Sequence, residues 1–117
     1  MQGGKMLLMA GAATGASMAT VGDLTVQPGV RSVYHRHPNT EESIFVVEGE
    51  MQFRVGSTRF HASSGDCVLA PQGIGHGLEN IGDSPARLIT IYPTADPGRE
   101  ALDDVDYIDG DSGSTVF

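Results

Sequence analysis

The pattern that most constrains the fold is a series of short apolar segments separated by turns that contain glycine or proline. In one segment Met51, Phe53 and Val55 alternate with Gln52 and Arg54, which is the two-residue period of a half-buried strand. No window shows a sustained helical repeat. The 16 glycines and 6 prolines are frequent enough to end each segment early. The sequence therefore predicts an all-β chain.

The apolar segments and the turns between them predict about nine strands. They cover residues 6–10, 17–26, 30–37, 42–47, 51–55, 58–62, 67–70, 76–80 and 87–92. We expect residues 11–15 to form a turn, and we expect any helix to lie at residues 100–105. An all-β chain must bury alternate residues and protect its edges, so the pattern indicates a sandwich or a jelly-roll barrel.

Length and charge limit the possible functions. The 117 residues are enough for one domain. The formal net charge is −8, and no basic face is visible, so we expect neither nucleic acid nor a membrane surface as a partner. No apolar run approaches the ~20 residues of a membrane-spanning helix. The single cysteine, Cys67, excludes an intrachain disulfide, and we expect a cytoplasmic protein.

The acidic residues concentrate near the C-terminus. We assign residues 1–97 to the barrel, including its N-terminal strands, and residues 98–117 to an acidic tail. A run of like charges in such a segment is typical of a solvated face, and a lid or docking segment is the alternative. The acidic residues of this tail are Glu100, Asp103, Asp104, Asp106, Asp109 and Asp111.

Three histidines and a glutamate form the candidate chemical site. His35 and His37 are two residues apart in a predicted strand, so they point to one face. Glu42 opens the next strand, and His76 follows a loop rich in proline and glycine. Three imidazoles and one carboxylate suit a transition metal better than Mg²⁺ or Ca²⁺. The alternative is four unrelated polar residues near a barrel mouth.

These residues lie in two blocks of the sequence, each with its own characteristic spacing. In the first, five residues separate Gly29 from His35-Arg36-His37, four separate His37 from Glu42, and six separate Glu42 from Gly49. In the second, five residues separate Gly65 from Pro71-Gln72-Gly73, two precede His76, and three separate His76 from Asn80. Both blocks match the two signature motifs of the cupins, in order, and the chain resembles a small single-domain metal-binding cupin.

The resemblance implies a fold and a cofactor. The fold is a single-domain double-stranded β-helix, the cupin jelly-roll barrel. The cofactor is one divalent transition metal (Fe, Mn, Ni, Cu or Zn) held by His35, His37, Glu42 and His76. Glu41 is the alternative acidic ligand, because some cupins place the acid one residue earlier. Small cupins commonly pair through their N-terminal strands, so we expect a homodimer.

The rest of the pocket is predicted from strand alternation. We expect Ile44, Val46, Phe53 and Leu78 to line it, with Tyr92 as a possible catalytic proton donor or, alternatively, a rim aromatic. The resemblance implies a metalloenzyme that acts on a small oxygenated molecule, and we favour dioxygenase-like chemistry. The alternatives are a non-redox isomerase, decarboxylase or cyclase, and a non-catalytic module that binds a small molecule.

Overall fold

The computed structural model describes residues 3–102 and 115–116, and the described chain is almost entirely β-structure. A short 3-10 helix, Ala12–Thr14, interrupts the first turn. The strands are β1 Gly4–Ala10, β2 Thr20–Val26, β3 Val30–Arg31, β4 His35–Arg36, β5 Glu42–Glu48, β6 Glu50–Val55, β7 Thr58–Ser63, β8 Cys67–Ala70, β9 His76–Asn80, β10 Ala86–Tyr92, β11 Glu100–Ala101 and β12 Thr115–Val116. The predicted all-β class is confirmed.

The described strands form two facing sheets. The first has the order β1-β2-β10-β5-β8. The second has the order β11-β4-β9-β3-β12. In the same sheet, β6 pairs with β9 on one side and with β7 on the other. All described pairings are antiparallel except that of β12 with β3. This is the double-stranded β-helix expected from the sequence.

The inward-facing residues of β5 and β10 change from apolar to polar along each strand. On β5 the buried positions are Val46, Ile44 and Glu42, and on β10 they run from Leu88 to Thr90 and Tyr92. Leu88 pairs with Val46, and Thr90 pairs with Ile44. The barrel therefore has an apolar core towards one end and a polar end where β5 begins and β10 finishes. The core consists of Leu24, Val26, Val30, Ile44, Val46, Met51, Phe53, Ala62, Val68, Leu78, Ala86 and Leu88.

Two local predictions were wrong. The strand predicted over residues 30–37 is two short pieces, β3 and β4. Between them Ser32 pairs with Leu78 through both its backbone and its hydroxyl, which accepts a hydrogen bond from the Leu78 amide at 3.0 Å. The helix expected at residues 100–105 is contradicted at its start, because Glu100–Ala101 is strand β11; residues 103–105 lie outside the described residues.

Residues 98–102, which the sequence assigns to the acidic tail, pack against the barrel. β11 pairs with β4, and the Leu102 amide donates a hydrogen bond to the Tyr34 carbonyl at 2.8 Å. A backbone that pairs with β4 in this way is held beside the His-Arg-His segment. In the described part of the chain, no helix has the length and apolar character needed to cross a membrane.

Candidate metal centre

The four predicted ligands lie together at the polar end of the barrel. His35 on β4 is the register partner of His76, the first residue of β9. Glu42 is the first residue of β5, and His37 lies just beyond β4. All four are buried, and one ligand atom from each lies within 4.8 Å of all the others. Residues far apart in the chain thus form one cluster that could hold a metal ion.

The Glu42 carboxylate lies at the centre of the cluster. Its Oε1 is 2.9 Å from His76 Nε2 and 3.2 Å from His37 Nε2. Glu41, the alternative acid, is exposed. Alternation along β5 explains the difference, because the two neighbours must point to opposite faces of the sheet.

Backbone carbonyls fix the orientation of all three imidazole rings. The Nδ1 atoms lie 2.6 Å from the Val33 carbonyl oxygen for His35, 2.5 Å from that of Gly98 for His37, and 3.1 Å from that of Ile74 for His76. Each Nδ1 therefore carries a proton and donates it. In His35 and His37 the second nitrogen, Nε2, is left for the cluster, as in histidines that bind metal ions. His76 Nε2 forms a hydrogen bond with Glu42 Oε1 at 2.9 Å.

The Nε2 atoms show that the cluster suits a cation. His37 Nε2 is buried and has no hydrogen-bond partner among the described residues, although Glu42 Oε1 lies 3.2 Å away. A ring that donates at Nδ1 could donate at Nε2 only as a charged imidazolium. Three charged rings around one buried carboxylate would be costly, whereas one divalent ion would engage every Nε2 lone pair. Nitrogen and carboxylate donors together suit Mn, Fe, Co, Ni, Cu or Zn.

The charges inside the cluster are strongly coupled. Burial alone would raise the pKa of Glu42, but its contacts with His37 and His76 lower it to about 2. Burial and the neighbouring His76 and His37 lower the pKa of His35 to about 3. Burial lowers the pKa of His37 as well, but the Glu42 carboxylate and the Gly98 carbonyl outweigh it and the pKa is raised. Glu42 therefore stays ionised, and His35 stays neutral, at ordinary pH.

Tyr92 lies directly beside the cluster. Its ring packs edge-on against His37 with 4.9 Å between the ring centroids. Burial, together with the nearby Glu42 carboxylate, raises the pKa of the Tyr92 phenol far above its ordinary value. The phenol is therefore protonated at neutral pH.

The cluster opens into a cavity of about 220 Å³. Ile44, Leu78 and Tyr92 line it. Val46 and Phe53 do not line it and belong to the hydrophobic core. Both are buried, and Phe53 is even the register partner of the lining residue Leu78, so burial alone does not place a residue in the cavity.

Several lining residues were missed by the sequence analysis. Ser32, Thr90, Met6 and Arg99 border the same cavity. A second cavity, of about 300 Å³, adjoins it and shares His37, Met6, Thr90, Tyr92 and Arg99. Thr90 lies two residues before Tyr92 on one predicted strand, so strand alternation could have placed both side chains on the same face. No sequence signal marks Arg99, which lies in the segment assigned to the acidic tail.

Comparison with known proteins decides the family. The cupin domain profile matches residues 22–92, which is most of the chain and includes all four cluster residues. The chain belongs to the cupin family. The predicted recognition from the two sequence motifs is confirmed.

Curated relatives of this cupin differ in length. The chain is 35% identical to the oxalate decarboxylase OxdC of Bacillus subtilis over 74 residues, which is 59% of this chain and 19% of that protein. It is 31% identical to the polyketide synthase protein CurC of Streptomyces cyaneus, over 64% of this chain and 49% of CurC. It is also 28% identical to the tetracenomycin polyketide synthase protein TcmJ of Streptomyces glaucescens, over 80% of this chain and 64% of TcmJ. This cupin thus spans about a fifth of OxdC and about half of CurC.

Solved structures show the same fold. A variant of Bacillus subtilis oxalate decarboxylase superposes with a TM-score of 0.79 at 28% identity, over 87% of this chain and 29% of that chain. An uncharacterised Klebsiella pneumoniae protein with a double-stranded β-helix domain gives a TM-score of 0.78 at 20% identity, over 88% and 87% of the two chains. Another structure of the Bacillus enzyme, 24% identical, is described as containing Mn(II) centres.

Proposed function

We propose that this cupin is a metal-dependent enzyme that acts on a small oxygenated molecule without consuming oxygen. The observation that carries the proposal is the position of the His35, His37, Glu42 and His76 cluster at one wall of a cavity. A metal with a purely structural role needs no adjoining space. The cavity of about 220 Å³, with the adjoining cavity of about 300 Å³, matches the roughly 300–1,000 Å³ of small-molecule sites, so the substrate is a small molecule.

The four cluster residues would hold the metal. With neutral imidazoles, a divalent ion and one carboxylate leave a net charge of +2 − 1 = +1, which favours an oxygen atom that carries or develops negative charge. The bound ion would supply Lewis acidity to such an oxygen. The chain itself orients the rings through the Nδ1 hydrogen bonds and surrounds the space with Ile44 and Leu78.

Tyr92 supports the choice of reaction class. A decarboxylation, isomerisation or cyclisation passes through a carbanion or enolate that must be protonated. The Tyr92 phenol, whose ring packs against His37 beside the cluster, is protonated at neutral pH and lies where it could supply that proton. General acid catalysis of this kind contributes about 10²–10⁴-fold in rate. We infer that Tyr92 is the proton donor.

The relatives support the same class. One is named as an oxalate decarboxylase, and two as polyketide synthase proteins. The dioxygenase-like reaction favoured on the sequence has no corresponding support in these names. It is the main alternative, and oxygen consumption separates it from our proposal.

Elemental analysis tests the metal, with His76→Ala as the variant and His61→Ala as the matched control. His61 lies on β7, is exposed and is not part of the cluster. We expect about one transition-metal ion per wild-type chain, loss of the ion in His76→Ala, and retention in His61→Ala. Equal metal content in both variants would show that His76 is not a ligand.

Turnover tests the reaction. Metal-loaded protein is incubated with small oxo-acids, diketones and sugar acids, in air and in an anaerobic chamber. We expect one class of substrate to be converted at the same rate in both atmospheres. Conversion only in air, with oxygen uptake, would support a dioxygenase instead, and saturable binding without conversion would support a binding module.

A further inference from the structure

The backbone around Arg99 is attached to the metal-ligand strand on both sides. On one side the Gly98 carbonyl accepts the hydrogen bond from His37 Nδ1 at 2.5 Å. On the other side Glu100 is the register partner of Arg36, and their side chains form an ion pair of 2.9 Å. The position of Arg99 is therefore coupled to the segment that contains His35 and His37.

Arg99 is an exposed cation that lines both cavities. It borders the inner cavity next to the cluster and the outer cavity that adjoins it. Apart from the histidines, no other described residue that lines either cavity is basic.

This charge is unusual in its surroundings. The chain carries a formal charge of −8 and has only seven basic residues. Arg36 and Arg87 are paired with carboxylates on the surface. No carboxylate in the described residues pairs with Arg99. A guanidinium presents a planar fork of donors that matches a carboxylate, so a substrate carboxylate is its natural partner.

We propose that Arg99 binds the carboxylate of the substrate and orients the molecule across the cavity, so that a second oxygen reaches the metal cluster. The substrate class is thereby narrowed from small oxygenated molecules to small carboxylates with a further oxygen function. This inference rests on the proposed metalloenzyme function. Arg99 is a specificity-determining residue in this scheme, and it takes no part in proton transfer.

The test uses a matched pair of probes. Glycolate and glycolamide share a hydroxyl group and a shape, but only glycolate carries a charge. Their binding to the Mn²⁺-loaded full chain is measured by calorimetry. The variants are Arg99→Gln and Arg99→Lys, and the controls are Glu100→Gln, which breaks the neighbouring ion pair, and Arg59→Gln on β7.

We expect wild-type protein to prefer glycolate. Arg99→Gln is expected to lose about 10-fold or more in affinity for glycolate, because a hydrogen bond to a charged group is lost. Its glycolamide affinity and metal content stay unchanged. Arg99→Lys is expected to fall between the two, and both controls to behave as wild type.

Other outcomes would overturn the inference in distinguishable ways. Unchanged glycolate affinity in Arg99→Gln, or equal losses for both probes, would show that Arg99 does not recognise the carboxylate. A similar loss of glycolate affinity in Glu100→Gln would show that the effect comes from a shift of the backbone around Arg99 and not from its charge. A wild-type protein that retains no Mn²⁺ or other transition metal would refute the proposed function, and the Arg99 inference with it.

Discussion

At the scale of single residues, Asn80 is a motif residue with a structural role. Its side chain is fully buried. The amide nitrogen donates to the Val26 and Ser84 carbonyls, each at 2.9 Å, and the amide oxygen accepts from the Gly82 backbone at 2.9 Å. Asn80 lies at the end of β9 opposite His76. It therefore closes the loop between β9 and β10 and does not belong to the metal centre.

We predict that Asn80→Ala destabilises the protein without removing metal. The change leaves three backbone groups short of a partner, at a cost of about 1–3 kcal/mol for each group that stays buried and unsatisfied. The free energy of unfolding, measured by urea titration, should fall by at least about 2 kcal/mol. Asn39→Ala is the control, since Asn39 is exposed and makes one hydrogen bond, to the Asp96 carbonyl; a loss as large there would contradict the explanation.

At the scale of elements, the turn from β5 into β6 packs closely against the start of β10. Gly49 has φ +122°, and a Cβ built at this position would lie 2.5 Å from the Ala86 Cβ and 2.9 Å from its Cα. Ala86 begins β10 and is fully buried. The motif glycine is therefore required both by backbone conformation and by the contact with β10.

We predict a larger loss of stability for Gly49→Ala than for Gly65→Ala. Gly65 also has a positive φ, of +93°, but a Cβ there would have nothing within 4 Å. The Gly65 variant should lose about 1 kcal/mol from backbone strain alone. The Gly49 variant should lose a further ~1–3 kcal/mol from overpacking. Thermal and urea unfolding of the two variants compare them directly, and equal losses would exclude the steric contribution of Ala86.

At the scale of the whole molecule, metal binding should be linked to folding. The cluster joins residues from β4, β5 and β9 and the residue after β4, so the site exists only in the folded chain. A ligand that binds only the native state stabilises it by about 2.7 kcal/mol when its free concentration is 100 times its Kd.

We predict that a chelator lowers the stability of the wild-type protein by about that amount at the matching metal concentration. His37→Ala should show no difference with and without metal, and His61→Ala should keep the full difference. The measurement is the unfolding midpoint in each condition. A metal-dependent increment that survives in His37→Ala would rule out this histidine as a ligand.

The expected homodimer is a second prediction at this scale. Within the described chain β1 pairs on one side only, with β2, and its Leu7 and Met9 are 60% and 52% exposed. An exposed apolar edge strand readily pairs with another chain. Sedimentation should find a dimer that Leu7→Glu dissociates. Leu69→Glu on β8, at the other edge of the same sheet and 53% exposed, should remain dimeric; a monomeric wild type would refute the prediction.

The sequence by itself determined the all-β class, most of the barrel strands and the cluster residues. Alternation in Met51–Phe53–Val55 and turns at Gly49 and Gly65 are local properties, and they predict strands without knowledge of distant contacts. Two motifs with correct spacing were enough to select His35, His37, Glu42 and His76. Local pattern failed where a distant partner intervened, as at residues 30–37, where Leu78 pairs with Ser32 between β3 and β4.

Only the tertiary structure decided what surrounds those four residues. Alternation says that Val46 and Ile44 share a face, but the register of β5 with β10 places Ile44 at the cavity and Val46 in the core. The Gly98 carbonyl that orients His37, and Arg99, which lines the cavity, lie about sixty residues from His37 in sequence and belong to no motif. Depth within a barrel and contacts between distant segments depend on how the sheets close. Closure is a property of the whole chain, so no local pattern could report it.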